Sequence, residues 1–311
     1  MPSTGGVHPA GRRGVPGLAC GRAGAEWATA KPLRKTEHRP ATPDCGGGDH
    51  HVRPAAARGA QIVQRVVFHL AGALLVLLAS ISPARGESPL VADLAAFFNR
   101  HHENPPYLDA LRAGLKRAVE TDPDLPNLVA FANACFLWGD VRATTLDQKL
   151  AAYDEGREAG RRAVELAPRD PLAHLWFAID TARWGQAKGV VRSLFLLPTV
   201  KREIATIMRL DPTLAPAYAL AGNVFYEVPS LLGGDLGTAE RMFRKGLEIA
   251  PHFTGMRVGL ARTLVKEGHL AEARQELQRV LTEAAPENLA DWTLKDNPEA
   301  RRLLDSLGRP S

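Results

Sequence analysis

The feature that most constrains the fold is a recurring sequence motif, in which the apolar end of a helix is followed by proline. The motif occurs four times, and its prolines lie 45, 44 and 39 residues apart: Pro123, Pro168, Pro212 and Pro251. Proline lacks an amide hydrogen and crowds the preceding turn, so each of these residues ends a helix. A repeat of this length indicates stacked helical units, because one such unit cannot bury its apolar face alone.

The last repeat shows the shape of one unit most clearly. A first helix carrying Ala261 and Leu264 ends at Gly268, and a second helix carries an apolar stripe that includes Ala273 and Leu277. Small residues at Ala261 and Ala273 allow the two helices to approach closely. This pattern resembles the tetratricopeptide (TPR) repeat. The structural repeat positions across the chain are Gly139, Pro168, Gly185, Pro212, Gly222, Gly234, Ala239, Pro251, Gly268 and Ala273.

The sequence therefore predicts an all-α, TPR-like solenoid of helical hairpins that coils into a right-handed superhelix over residues 87–311. Capping residues support the helix boundaries, since Thr145 and Gln148 form a capping box, and no segment has the period of a strand. The units are expected at about 124–168, 169–212, 213–251 and 252–285, followed by a C-terminal capping helix over 296–307.

The first three units are longer than the usual TPR repeat of about 34 residues. The excess is predicted to form loops between the two helices of each unit, over 140–145, 186–197 and 229–234. Equivalent turns of a solenoid lie along one edge, so the three insertions should gather on one side. The middle insertion is apolar, and two interpretations stay open: a segment packed on the solenoid, or a lid for an apolar ligand or partner.

Composition changes at residue 87. Residues 1–86 carry 11 basic and 4 acidic residues, whereas residues 87–311 carry 28 and 30, so the basic pI of 9.3 reflects the N-terminal stretch alone. The charge of the repeats thus excludes a nucleic-acid-binding function. Residues 1–60 contain 18 glycines and prolines and no apolar period, which predicts a disordered tail or a segment that is not translated.

A signal peptide or an N-terminal anchor is predicted over residues 61–86. Arg65 precedes the apolar run 66–79, and small residues follow it. These are the three parts of a secretory signal, with cleavage expected before Glu87. The run is shorter than the ~20 residues of a membrane-spanning helix, although an uncleaved anchor stays open. We therefore expect a periplasmic or secreted bacterial protein or, alternatively, a membrane-anchored one that faces the periplasm.

Aromatic residues gather near the insertions and are the candidates for binding a ligand or partner. The candidate residues are Trp138, Trp176, Trp184, Arg192, Phe195, Tyr218 and Tyr226. Helical spacing also permits a core position for many of them. The sequence contains no recognised catalytic motif, and we predict no catalytic residue, metal ligand or cofactor. Three cysteines exclude a disulfide scaffold, and Cys135 is expected to be buried on an apolar helix face.

Two family resemblances accompany the long repeats. Residues 232–236 (Leu-Gly-Gly-Asp-Leu), followed by Ala239 and Phe243, resemble the T-component of TRAP-type transporters. The segment from His174 to Pro212 is similar to the regulator of microtubule dynamics family. The first resemblance implies an oligomeric periplasmic protein that works beside a solute-binding protein, whereas the second implies no chemistry at particular residues.

Two functions are consistent with these features. The first is a non-catalytic, exported TPR adaptor that binds a protein or peptide in the groove of the solenoid. The second is a periplasmic accessory of a TRAP-type transporter, which binds a small apolar ligand beside a solute-binding protein. A membrane partner is expected only if the signal sequence stays uncleaved, and homo-oligomerisation stays open.

Overall fold

The computed structural model describes residues 88–308, which are helical and connected by short turns. The predicted tail over 1–60 and the signal sequence or anchor over 61–86 lie outside the described residues. The helices are α1 (Pro89–Phe98), α2 (Tyr107–Thr121), α3 (Leu125–Val141), α4 (Leu146–Leu166), α5 (Pro171–Lys188), α6 (Val190–Leu210), α7 (Ala215–Glu227), α8 (Leu236–Ile249), α9 (Thr254–Glu267), α10 (Leu270–Leu281) and α11 (Asn297–Gly308). In this part of the chain, no helix is both long enough and apolar enough to span a bilayer.

Consecutive helices form hairpins that stack on one another. The hairpins are α3–α4, α5–α6, α7–α8 and α9–α10, and the first helix of each hairpin contacts the first helix of the next. Helix α11 packs against α10 at the C-terminal end of the stack. Each hairpin thus buries its apolar face against its neighbours, as expected of a solenoid.

The apolar core has one large cluster towards each end of the stack. The first joins α1 to α4 and includes Leu108 and Leu115, and the second joins α7 to α11 and includes Phe243 and Leu264. Cys135 belongs to the first cluster and is fully buried, which confirms the prediction. Burial raises the pKa of the Cys135 thiol, so the reactive thiolate is suppressed.

Two glycines at repeat positions allow the helices of a hairpin to approach closely. A Cβ atom at Gly139 would lie 2.3 Å from Cε1 of Tyr153, and a Cβ atom at Gly222 would lie 2.6 Å from Cε1 of Phe243. Both rings therefore lie directly on the backbone of the first helix, and a larger residue would push the helices apart. The small residue predicted at the corresponding contact, Ala239, is fully buried.

Three of the four prolines that end the repeats share a hydrogen-bonding role. Each backbone carbonyl contacts a side chain six residues further on, in the first helix of the next hairpin. The pairs are His174 Nε2 with Pro168 O at 3.1 Å, Tyr218 OH with Pro212 O at 2.9 Å, and Arg257 Nη2 with Pro251 O at 2.7 Å. These contacts satisfy carbonyls that have left a helix, and they fix the connection between hairpins.

The predicted loop over residues 186–197 is wrong, because all of these residues except Gly189 are helical. Helix α5 continues to Lys188, and α6 begins at Val190 and passes through Pro198. Gly189, between the two helices, has a φ of +103°. Glycine adopts this conformation without steric cost, so a single residue reverses the chain and the rest of the insertion lengthens the helices. Pro198 removes one hydrogen bond from a helix of 21 residues and does not end it.

Of the other two predicted loops, the first is shorter than expected and the second forms a tight turn. Helix α3 continues to Val141, which leaves residues 142–145 as the connection to α4. Residues 229–234 contain a 3-10 turn over Ser230–Leu232, followed by Gly233 with a φ of +88°. The Asp235 side chain then accepts a hydrogen bond from the Thr238 amide at 2.6 Å and caps α8.

Candidate functional site

The two ends of the helical stack meet through hydrogen bonds to Asn99. The amide of Ala290 donates to the carbonyl of Asn99 at 2.9 Å, and the amide of Leu289 donates to the Asn99 side chain at 2.5 Å. The latter pair is separated by 190 residues of sequence. We call residues 287–296 the closing segment, because they join the C-terminal end of the stack to the end of α1.

The closing segment contacts the first helices of the first and last hairpins, α3 and α9, and we call the surface formed by α3, α5, α7 and α9 the inner face. Lys295 Nζ lies 3.6 Å from Asp140 Oδ2 near the end of α3. At the start of α9, the Thr254 hydroxyl donates to Asp296 Oδ2 at 2.6 Å. The chain itself thus already contacts part of the inner face, where the sequence analysis expected a partner.

Trp176 lies in an aromatic cluster on the inner face. Its ring centroid is 6.3 Å from that of Phe98, which meets it edge-on, and 5.7 Å from that of Phe136. The Arg183 guanidinium lies 5.5 Å from the Phe136 ring. Aromatic and cation–π pairs at these distances are attractive. Trp176, a predicted binding residue, is therefore packed by α1 and α3.

A polar cluster lies beside these rings. Asp140 accepts hydrogen bonds from the Tyr153 hydroxyl and from Arg183, both at 2.7 Å. Asp180 is fully buried against Gly156, and neither of its carboxylate oxygens has a hydrogen-bond partner among residues 88–308. Burial, and secondarily the charge of Asp140, raises the pKa of Asp180 well above its usual range. Asp180 is thus stabilised in its protonated, neutral form.

A second surface lies where α5 meets α6. We define the insertion edge as the side chains around Gly189, namely Trp184, Lys188, Val190, Val191, Arg192 and Phe195. Val190, Val191 and Phe195 are 72%, 70% and 75% exposed. Four side chains of the edge line an open recess of about 330 Å³: Lys188, Val191, Arg192 and Phe195.

Three cations surround the indole of Trp184. The guanidinium groups of Arg157 and Arg192 lie 4.6 and 5.7 Å from the ring centroid, and Lys188 Nζ lies 5.4 Å from it. Cations within ~6 Å of an indole face are attracted by its quadrupole. Charged side chains therefore position Trp184, and the insertion edge presents positive charge.

The other predicted binding residues are located elsewhere. Trp138 donates from Nε1 to Asp109 Oδ1 at 2.6 Å, and this bond joins α2 and α3. Tyr218 is buried in the core, with its hydroxyl bonded to the Pro212 carbonyl described above. Tyr226 lies between α7 and α9, with Lys266 Nζ 3.6 Å from its ring centroid. Of the seven predicted residues, the structure brings three together at the insertion edge.

The closing segment and its contacts were not anticipated from the sequence. Lys295 and Asp140 belong to opposite ends of the stack, and no repeat position relates them. The one local signal was Asn288, which caps the turn Leu289–Asp291 by accepting from the Asp291 amide at 2.9 Å. The signal for Val190 and Val191 was the apolar character of the insertion.

Comparison with known families supports this architecture. A family model described as tetratricopeptide repeat matches residues 231–295, and one described as regulator of microtubule dynamics protein 1-3 matches residues 99–232. These matches confirm the TPR pattern and support the similarity to the regulator of microtubule dynamics family. No curated protein matches the chain. The resemblance to the TRAP T-component stays a prediction.

Solved structures of TPR proteins are similar to this chain. A thermophilic TPR protein from Thermus thermophilus is 20% identical, with 70% of this chain and 98% of that chain covered and a TM-score of 0.51. A TPR protein from Parabacteroides merdae is 14% identical, with 82% and 92% covered and a TM-score of 0.42. The first of these similarities shows the fold: the chain is an all-α, TPR-like solenoid.

Proposed function

We propose that this protein is a non-catalytic TPR adaptor that binds a protein partner through the insertion edge. The observation that carries the proposal is the exposure of Val190, Val191 and Phe195 beside basic side chains. Contiguous exposed apolar side chains with a polar rim mark interaction surfaces. Solenoids of stacked repeats generally serve as binding scaffolds, which supports the same function.

Contacts within the chain at the inner face support the insertion edge, rather than the inner face, as the partner site. The groove of the solenoid was the partner site expected from the sequence, yet α1 and the closing segment already contact its aromatic and acidic side chains. The apolar side chains of the insertion edge belong to none of the apolar core clusters found in the described residues. They are therefore available to a partner without any rearrangement of the fold.

Quantitative affinity purification from the native cell tests the adaptor function. The intact wild-type chain is compared with the double variant Val191→Ser/Phe195→Ser and with Leu166→Ser, a matched control that alters a leucine 56% exposed at the end of α4. We expect a set of proteins that the double variant loses and the control retains. Equal recovery with all three chains would contradict a partner site at the insertion edge.

We further propose that the protein acts outside the cytoplasm, in the periplasm or after secretion. The basic flank and short apolar run within residues 61–86 support this location. N-terminal sequencing after cell fractionation tests it, and a periplasmic species that begins at Glu87 is the expected result. A membrane-bound species that retains residues 66–79 would indicate an anchored scaffold, whereas a cytosolic species beginning at Met1 would contradict export.

The alternative function is that of a periplasmic accessory of a TRAP-type transporter. The open recess at the insertion edge favours it, because Val191 and Phe195 present exposed apolar side chains there to a small apolar ligand. Native mass spectrometry of the purified protein tests this function. A small bound mass that disappears in Phe195→Ser, with a co-purifying solute-binding protein, would favour the accessory over the adaptor.

A further inference from the structure

We propose that the partner of the insertion edge is an acidic amphipathic protein segment, in which carboxylate side chains lie next to apolar ones. This inference rests on the proposed adaptor function and adds the chemistry of the partner. It follows from three properties of the edge: the sign of its charge, the cations that have no carboxylate partner, and the shape of the recess.

The charge of the insertion edge has one sign. Residues 181–202 include five Lys and Arg residues and no Asp or Glu. The carboxylates on either side of this stretch, Asp180 and Glu203, are 0% and 5% exposed and therefore face no partner. A partner approaching this stretch thus meets cations and apolar side chains, and the Asp154 carboxylate, which lies near Trp184, is already paired with Arg157 at 2.5 Å.

Two of the five cations, Lys188 and Arg192, differ from the other three in their contacts within the chain. Arg183 and Arg202 form ion pairs with carboxylates, and Lys201 donates to the Gly233 carbonyl at 2.8 Å. Lys188 and Arg192 contact the Trp184 ring instead, and within residues 88–308 neither forms an ion pair. Their charge is not neutralised by the chain, so it is available to carboxylates of a partner.

The recess places these two cations beside apolar walls. Lys188 and Arg192 line it together with Val191 and Phe195. A carboxylate that enters can accept two parallel hydrogen bonds from the Arg192 guanidinium, while a neighbouring apolar side chain packs on Phe195. Acidic and apolar side chains that alternate around one helix or turn satisfy both requirements at once.

The same features favour a protein segment over an anionic membrane surface. A recess of about 330 Å³ accommodates individual side chains, whereas a lipid headgroup layer needs no concave receptor. The contacts with Trp184 also hold Lys188 and Arg192 at defined positions. Bidentate pairing of a guanidinium with a carboxylate depends on geometry. Cations held in place therefore suit a peptide whose carboxylates have defined positions.

Photo-crosslinking in living cells tests this inference on the full chain. A benzophenone amino acid replaces Val191, which is 70% exposed, and a matched control chain carries it at Leu166. Crosslinked peptides are identified by mass spectrometry. Each probe is also combined with Arg192→Glu and, as a charge control at the far end of the same helix, with Arg209→Glu. Circular dichroism of each purified chain verifies that it is folded.

We expect the Val191 probe to crosslink peptides in which Asp or Glu lies within one helical turn of apolar residues. Arg192→Glu should reduce the yield by about tenfold, equivalent to ~1.4 kcal/mol, and Arg209→Glu should leave it unchanged. Added salt should also reduce the yield, because exposed charges are screened.

The other outcomes separate the partner's chemistry from the adaptor function. Crosslinks to neutral or basic peptides, or a yield insensitive to Arg192→Glu, would overturn the acidic partner and leave the adaptor function standing. Adducts with lipid would overturn the protein partner in favour of a membrane. A yield no higher than that of the Leu166 control would overturn both proposals.

Discussion

The inner face and the insertion edge share helix α5, yet they differ in how many of their side chains are packed by other parts of the chain. On the inner face, Trp176 packs on Phe98, and Lys295 approaches Asp140 from the opposite end of the stack. At the insertion edge, Phe195 projects into solvent. Aromatic content alone therefore does not distinguish the two surfaces, whereas the exposure of the side chains does.

The largest expected effect comes from Trp176→Ala on the inner face. The variant removes a ring that packs on Phe98 and Phe136, so we expect the free energy of unfolding to fall by about 2–3 kcal/mol. Trp184→Ala at the insertion edge loses mainly cation–π contacts and should cost about 1 kcal/mol. Urea unfolding of both variants measures the difference. Equal losses would contradict the contrast between the two surfaces.

Asp296→Asn is expected to stabilise the closing segment by about 1–2 kcal/mol at neutral pH. Burial raises the pKa of Asp296 to about 6, so a charged carboxylate is held there at a cost in free energy. The asparagine oxygen still accepts the hydrogen bond that Thr254 now donates to Asp296. Thermal unfolding at neutral pH checks the sign, and destabilisation would show that the charge of Asp296 is needed.

The contribution of Asp296 to stability should decrease as the pH rises. Because the native pKa lies above the ordinary value of 3.8, the native state binds more protons than the unfolded state between 3.8 and about 6. The contribution of Asp296 to stability is therefore full below this window and is lost as the pH rises through about 6. Comparing wild type with Asp296→Asn across the window isolates the contribution, which should vanish in the variant.

A smaller effect is expected for the contact that crosses the inner face between Lys295 and Asp140. The two atoms are 3.6 Å apart and Lys295 is 42% exposed, so solvent screens the pair. A double-mutant cycle with Lys295→Ala and Asp140→Asn should give a coupling energy of about 0.5–1 kcal/mol. Lys295 also pairs with Asp291 at 3.0 Å, so hydrogen exchange is measured in Asp140→Asn. The Ala290 amide should exchange faster in this variant, and unchanged exchange would show that the Lys295–Asp140 contact does not hold the closing segment in place.

The repeat architecture could be predicted from the sequence because its signals are local. Pro168, Pro212 and Pro251 each follow the end of a helix in the repeat pattern, and Gly222 leaves room for the Phe243 ring against the helix backbone. The insertion at 186–197 was misjudged because the positive φ of Gly189 can replace a whole loop. A sequence shows that glycine permits this conformation and not that the chain adopts it there.

The candidate surfaces were less predictable, because they depend on contacts between distant residues. Trp176 and Trp184 lie on the same helix, α5, yet one packs on α1 and the other is surrounded by cations. The closing segment depends on the pairing of Ala290 with Asn99, which no periodicity reports. The fully buried Asp180 is likewise a consequence of stacking rather than of local sequence.

The smallest expected effect on stability is at the insertion edge itself. Phe195→Ser alters a ring that is 75% exposed, so the free energy of unfolding should change by no more than about 0.5 kcal/mol. The apolar wall of the recess is nevertheless lost, and recovery of the partner should fall. Chemical denaturation and quantitative co-purification of the same preparation measure both effects. A large loss of stability would place Phe195 in the core and remove the difference between the two surfaces.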